Sequence, residues 1–489
     1  MLMVVILIWT EHYYNIIFMR LFTTALLVVF LISSHAQQNT GTPKPTKQQL
    51  AWHEMEFYFF IHFGPNTFTD KEWGHGDEPE DIFNPTQLDC RQWARIAKQA
   101  GAKGIIITAK HHDGFCLWPS KYSKHTVRES KWKEGKGDVL KELSAACKEQ
   151  GLKFGVYISP WDRNHPKYGT AGYNDVYINT MKEIFANYSP VWELWWDGAN
   201  GEGPNGKRQV YDWDRFKKTV KKISPATVVF SDVGPNIRWV GNERGIAGKT
   251  NWNYLDTVGF TPGQDSPPVD TLNRGNAFGK AWIPSECDVS IRPGWFYHAK
   301  EDDSVKSGER LFDLYLKSVG RGSNLLLNIP PDRRGLIHEN DSAALMAFKK
   351  LRDESFSKNI LNDAKAYWEI NEEAFLKDSV NYRVIDKKGI YSINTQSFMV
   401  QLAGPGKVNC IVLREAIHLG QSIENFKIVL LNNTRVVHEI NGTTVGRKRI
   451  LTFPVQTITS FQVILKDRFG NDNVSGVAAY LIDEKLVEQ

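Results

Sequence analysis

Cysteine is scarce in this chain. Five occur in 489 residues, at positions 90, 116, 147, 287 and 410, odd in number and without CxxC spacing. That excludes a disulfide framework and a cysteine-based zinc site. A core of this size needs no such staples, and the thiols are expected to be buried. A charge excess of one sign is also missing. Lys and Arg number 60 against 55 Asp and Glu, the net charge is +5, and no long basic run appears. Nothing here favours a nucleic-acid partner. There is no GxSxG nucleophile elbow and no phosphate-binding P-loop. Long apolar runs are confined to the N-terminal region. Met19-Arg20 is followed there by the apolar stretch 21–32 and by Ser34-His35-Ala36. This is the layout of an export signal spanning residues 1–36, with Met19 as the expected start and cleavage after Ala36. The apolar core is too short for a stable membrane anchor, so the mature protein is expected in the periplasm or secreted.

Aromatic residues, by contrast, are abundant and unevenly placed. Of the 16 tryptophans, 15 precede residue 300 and the last is Trp368. Over residues 57–335 apolar strand candidates alternate with amphipathic helices. The strand candidates are Phe57–Phe63, Gly104–Lys110, Phe154–Ser159, Val191–Trp196, Thr227–Ser231, Ala281–Ser285 and Asn324–Ile329. Helices over Cys90–Ala100, Val139–Gln150 and Arg310–Val319 should stop at Gly101, Gly151 and Gly320. Repeated βα units of this number predict an irregular (β/α)8 barrel over residues 37–362. After that the texture changes to short strands with turn signals, and Asn441-Gly442 reads as a hairpin turn. Residues 363–489 are therefore expected to form an antiparallel β-sandwich that braces the barrel.

The segment Val191-Trp-Glu-Leu-Trp-Trp-Asp-Gly198 ends an apolar run in a carboxylate. Barrel active sites are built at the C-terminal ends of the strands. His62, His111, His112, Tyr157, Asp197, Asp232 and Glu286 all fall at or just past such predicted ends. Trp195 and Trp196 beside Asp197 offer flat faces to the C–H surface of a sugar ring, and a carboxylate suits attack at an anomeric carbon. His111-His112-Asp113 invites a metal reading, to be weighed against the three protein ligands that zinc sites normally use.

The motifs Phe60-Ile-His62-Phe-Gly64, Glu72-Trp73, Phe83-Asn-Pro85 and Lys110-His-His-Asp-Gly-Phe115 occur in order. Gly155-Val-Tyr157-Ile-Ser159, Trp195-Trp-Asp197-Gly198 and the stretch Gly320–Pro331 complete the set. Together they resemble family 29 glycoside hydrolases, the α-L-fucosidases. The resemblance implies a retaining exo-α-L-fucosidase that needs no metal or cofactor, with a terminal fucose on an oligosaccharide or glycan as substrate. Asp197 matches the nucleophile. Arg238-Trp-Val-Gly-Asn-Glu243-Arg-Gly245 resembles the acid/base motif of the subfamily selective for α-1,3/1,4 linkages, which points to Glu243. Glu286 is its rival, as a carboxyl at a predicted strand end. His62, His111, His112, Tyr157 and Trp195 match the fucose pocket, with Glu72, Trp73, Arg238 and Trp295 as further substrate-binding candidates. Trp161 either lines an outer site or packs behind the pocket. A broad-specificity fucosidase and a non-catalytic fucose-binding protein are the alternatives.

Overall fold

The computed structural model describes residues 42–368, 382–384, 393–394, 397–467 and 473–487. The expected export signal lies outside these residues. Six parallel strands come first: β1 (Phe57–Ile61), β2 (Gly104–Lys110), β3 (Lys153–Ile158), β4 (Glu193–Trp195), β5 (Val228–Ser231) and β6 (Ile237–Trp239). Then β7 (Tyr254–Leu255) and β8 (Ala281–Trp282) form a separate antiparallel pair. Two more parallel strands, β9 (Ser285–Ser290) and β10 (Asn324–Asn328), close the barrel in the order β1-β10-β9-β6-β5-β4-β3-β2.

Period-two alternation explains the barrel's two cores. In β1, Phe57, Phe59 and Ile61 face the helices, while Tyr58 and Phe60 face the barrel axis. The axial layer continues with Ile106, Tyr157, Trp195, Phe230 and Leu326 from the other strands. Helices shield the outside. Cys90–Ala100 starts at Asp89, whose side chain accepts from Arg91 N and Gln92 N, a cap worth about 1 kcal/mol. It ends at Gly101, whose φ of 77° suits glycine. Val139–Gln150 repeats the design between Asp138 and Gly151. The helix expected to stop at Gly320 instead runs Gly308–Lys317 and is capped at Ser318, whose hydroxyl bonds back to Leu314 O at 2.6 Å. All five cysteines are free and buried, as expected.

Two strand expectations change. The eighth strand, β6, follows β5 after only the loop 232–236, in which Asn236 bonds back to both the N–H and the carbonyl of Val229. It has no helix before it to mark it. The strand expected over Ala281–Ser285 splits at Ile283-Pro284. Its first part is β8, outside the barrel, and the barrel strand begins at Ser285, so Glu286 lies near that strand's start and not at its end.

Past helix Glu339–Ser355 the chain enters an antiparallel sandwich with its own apolar core. The long strands Ser397–Glu415 and Arg449–Asp467 pair along most of their length, with register shifts between Gln401 and Gly406 and between Val408 and Cys410. The expected hairpin turn at Asn441-Gly442 lies elsewhere. The turn between Ile423–Asn432 and Arg435–Gly442 is made by Asn433-Thr434, with Asn433 at φ 54°. Gly442 instead gives room to the Phe426 ring. Among the described residues no helix is long and apolar enough to cross a membrane.

Candidate active site

A cavity of about 170 Å³ opens at the C-terminal ends of the barrel strands. It gathers His62, Glu72, Trp73, His111, His112 and Tyr157 with Trp195, Asp197, Glu243 and Trp295. Phe60, Ala199 and Asp288 complete its lining.

Asp197 continues the inward line of β4 two residues beyond Trp195. The Tyr157 hydroxyl donates to its Oδ2 at 2.9 Å, and Ala199 N donates to its Oδ1 at 2.7 Å. Each carboxylate oxygen is thus aimed by one donor. Burial, then the Asp197 charge, pushes the Tyr157 phenol well above its ordinary pKa, so it stays a donor. Gly198 leaves room for the Asp232 carboxylate, which would have to shift to admit a side chain there. Burial and the charge of Asp197 in turn push Asp232 up to about 6.

The histidines are neutral and oriented. His62 Nδ1 lies 2.8 Å from Asn328 Oδ1, and Asn328 Nδ2 donates to Trp295 O at 2.7 Å and to Ser290 Oγ at 2.9 Å. A backbone carbonyl only accepts, so the amide orientation is fixed and His62 carries its hydrogen on Nδ1. Nε2 is left as an acceptor. The Ser159 hydroxyl donates to Trp161 O at 2.8 Å, so at 2.8 Å from His112 Nδ1 it accepts. His112 Nε2 then faces Asp197 Oδ2 at 3.7 Å with a lone pair. Burial lowers His62 to about 3 and His112 to about 4, and drives His111 well below its ordinary value.

Glu243 sits on an exposed loop pinned by the Asn242 side chain, which accepts from Arg244 N at 3.1 Å and donates to Ile246 O at 2.9 Å. Its Oε2 accepts the Trp295 indole N–H at 3.2 Å. Glu72 clamps the loop that carries Trp295. Its carboxylate accepts Trp295 N at 2.8 Å and Phe296 N at 3.3 Å, and meets His298 Nε2 at 2.7 Å. Burial opposes protonation of His298, but its bonds to Asp70 and Glu72 raise its pKa overall. Trp73 stands at the mouth, 54% exposed and edge-on to His112.

Comparison with known proteins agrees with this geometry. The α-L-fucosidase family profile matches residues 45–350. α-L-Fucosidase 1 of Arabidopsis thaliana is 41% identical over 424 residues, covering 84% of this chain and 82% of the relative. A glycoside hydrolase 29 family member from an unknown rumen bacterium is 38% identical with a TM-score of 0.79, over 91% of this chain and 78% of that one. A Ruminococcus gnavus GH29 fucosidase, solved in complex with fucose, is 28% identical with a TM-score of 0.77, over 92% of this chain and 99% of that one.

The chain belongs to the α-L-fucosidase family. It is a glycoside hydrolase.

Two residues expected in the fucosidase's site lie elsewhere. Arg238 is fully buried and points away from the cavity. Its guanidinium donates to Leu272 O at 2.9 Å, to Asn251 Oδ1 and Trp252 O at 3.0 Å each, and to Ile283 O. It fastens the segments around β7 and β8 to the barrel. Glu286, the rival acid, lies inside the barrel beneath the cavity. It accepts Trp195 Nε1 at 2.9 Å and the Tyr58 hydroxyl, and it faces the Glu193 carboxyl. Burial raises both carboxyls, and their proximity favours a shared proton. Trp161 does not line the cavity; its indole donates to Glu202 O at 3.0 Å behind His112.

Sequence reasoning missed Asp288. It is buried, lines the cavity, and accepts Trp239 Nε1 at 2.9 Å. Burial, then the charges of Glu243 and Glu286, push its carboxyl well above the usual range. The signal was its place two residues after Glu286 on an inward line, legible only with the strand's true start. Among the described residues no group of three or more His, Cys, Asp or Glu side chains is arranged to hold a metal ion.

Proposed function

We propose that the enzyme is a retaining exo-α-L-fucosidase that removes terminal fucose from α-1,3/1,4-linked, Lewis-type glycans. The observation that carries this reading is the carboxylate of Asp197, aimed by Tyr157 and Ala199 into a small cavity that Glu243 also lines. A cavity of about 170 Å³, lined by Phe60, Trp195 and Asp288 beside the polar groups, suits a single terminal sugar.

In the first step Asp197 attacks the anomeric carbon and the glycosidic C–O bond breaks. Glu243 gives its proton to the departing oxygen, and the fucosyl group is esterified to Asp197. In the second step water attacks the same carbon, Glu243 takes the water's proton, and Asp197 leaves as a carboxylate. Both steps pass through oxocarbenium-like transition states. His62 Nε2 accepts a hydrogen bond from a fucose hydroxyl. The two acceptors His112 Nε2 and Asp197 Oδ2, 3.7 Å apart, suit a hydroxyl hydrogen between them. Trp195 and Trp295 offer apolar surface to the sugar ring.

The linkage preference rests on the Arg238–Gly245 motif, acting through Glu243 and Trp239 and not through Arg238. Fucose release from a Lewis-type trisaccharide and from 2′-fucosyllactose, side by side, tests it. Rapid release from the first and little from the second is expected. Equal release from both makes the enzyme a broad α-L-fucosidase, and failure on both and on an aryl fucoside overturns catalysis itself.

A further inference from the structure

A second cavity lies away from Asp197, where the barrel meets the sandwich. Its volume is about 320 Å³, nearly twice that of the cavity around Asp197. Tyr315, Arg352 and Phe356 line it from the barrel, and Arg414, Lys448 and Tyr480 line it from the sandwich. Arg352 Nη2 donates to Ala100 O at 3.1 Å, and Lys448 Nζ reaches Glu56 at 2.6 Å. Ala100 precedes β2 and Glu56 precedes β1. The cavity therefore lies by the N-terminal ends of these strands, at the opposite end of the barrel from the fucose pocket.

Its charges are unequally satisfied. Lys448 is neutralised by Glu56. Asp353, the one acidic residue in the lining, is paired with Lys349. Arg352 lies over the rings of Phe348 and Phe57, at 5.2 and 5.7 Å, with Asp353 no nearer than 4.0 Å. Arg414 is half-buried, and its side chain makes no hydrogen bond or ion pair among the described residues. Arg352 and Arg414 line the same cavity, and both charges are felt by the buried Tyr315 hydroxyl. A partly desolvated guanidinium without a partner, as Arg414 is, costs free energy, and the second positive charge of Arg352 on the same space adds repulsion. An oxyanion between them relieves both costs, and the planar fork of arginine suits carboxylate or sulfate oxygens. Phe356 and Tyr480, edge to face at 5.3 Å, add an aromatic wall that a bare inorganic anion would leave unused.

We propose that this cavity binds an acidic monosaccharide unit, its carboxylate or sulfate ester between Arg414 and Arg352 and its ring against Phe356 and Tyr480. The proposal stands apart from the reading of the fucose pocket. It gives the enzyme a second hold on a glycan that carries both neutral and acidic sugars.

Isothermal titration of the full chain with glucuronic acid, galactose 6-sulfate, sodium sulfate and glucose tests it. At least one acidic sugar should bind, sulfate should bind about tenfold more weakly, and glucose should not bind. Arg414→Gln should weaken acidic-sugar binding about tenfold or more, the loss expected for a charge-assisted pair. Hydrolysis of an aryl fucoside should be unchanged in that variant. Arg352→Lys, which keeps the charge but loses the fork, should also weaken binding. The proposal is overturned by no binding of either acidic sugar, by sulfate binding as tightly as both sugars, or by affinity unchanged in Arg414→Gln. Competitive inhibition of fucoside hydrolysis by the acidic sugar would overturn it too, by placing the ligand in the other cavity.

Discussion

The Trp195 indole donates to Glu286 Oε1 at 2.9 Å, and this bond separates the two carboxyls that compete for the acid/base role. Glu286 is held inside the barrel by Trp195 and Tyr58, below a ring that itself lines the cavity. Glu243 lines the cavity directly and is held by Trp295. Glu243→Ala should therefore lower kcat on a Lewis-type trisaccharide by about 10²–10⁴-fold, the range of general acid catalysis. The loss should be smaller on an aryl fucoside with a good leaving group, and azide should partly restore that activity. Glu286→Gln, which keeps an acceptor for Trp195, should stay within about tenfold of the parent. The reverse pattern, read from steady-state kinetics, would exchange the two roles.

Asp197→Ala should lower kcat by about 10⁴-fold or more, the scale of losing a nucleophile. Fucose binding, measured by calorimetry, should survive, because His62 and His112 are oriented by Asn328 and Ser159 rather than by Asp197.

Arg238→Ala should act on stability and not on substrate affinity. It strips a donor from the Leu272 carbonyl and from buried Asn251 Oδ1, which keeps only the 3.3 Å bond from the Ser285 hydroxyl, at about 1–3 kcal/mol for a buried group left unpaired. Thermal unfolding should show a large fall in Tm, while KM for an aryl fucoside in the folded fraction stays unchanged. A raised KM with an unchanged Tm would return Arg238 to the substrate.

Acid should destabilise the fold through its buried histidines. His53, His62 and His112 have folded pKa values lowered by burial to about 3, about 3 and about 4. The unfolded chain binds those protons near pH 6.5 and the folded chain does not, so stability falls as pH drops through that window. Each histidine contributes a slope of about 1.4 kcal/mol per pH unit. Both ring nitrogens of His53 lack a partner among the described residues. His53→Leu should therefore lose less Tm than the parent between pH 7 and pH 5. Identical pH dependence of the two proteins would contradict this assignment.

The parts of the site that lie just past apolar strands were legible in the sequence. Phe57–Ile61 and Glu193–Trp195 read as strands because both faces are buried, and period two then delivers His62 and Asp197 to the axis. β9 hid for the opposite reason. Its sequence, Ser-Glu-Cys-Asp-Val-Ser, is polar on the inward line because it builds the cavity and the Glu193–Glu286 pair. The apolar residues Ala281–Ile283 drew the strand prediction away from it, and Asp288 was lost with the register. Arg238 was misread because a motif supplies position in the chain and not side-chain direction. Its neighbour Trp239 is the one that reaches Asp288.

The most direct test of the central claim is a covalent trap. Incubation with 2-deoxy-2-fluoro-L-fucosyl fluoride, proteolysis and peptide mass spectrometry would locate the sugar. Stoichiometric inactivation is expected, with the fluorofucosyl group on the peptide carrying Asp197 and turnover of that adduct on reactivation. A label on Glu243, Asp288 or Glu286, or turnover with no label and inversion at the anomeric carbon, would contradict it.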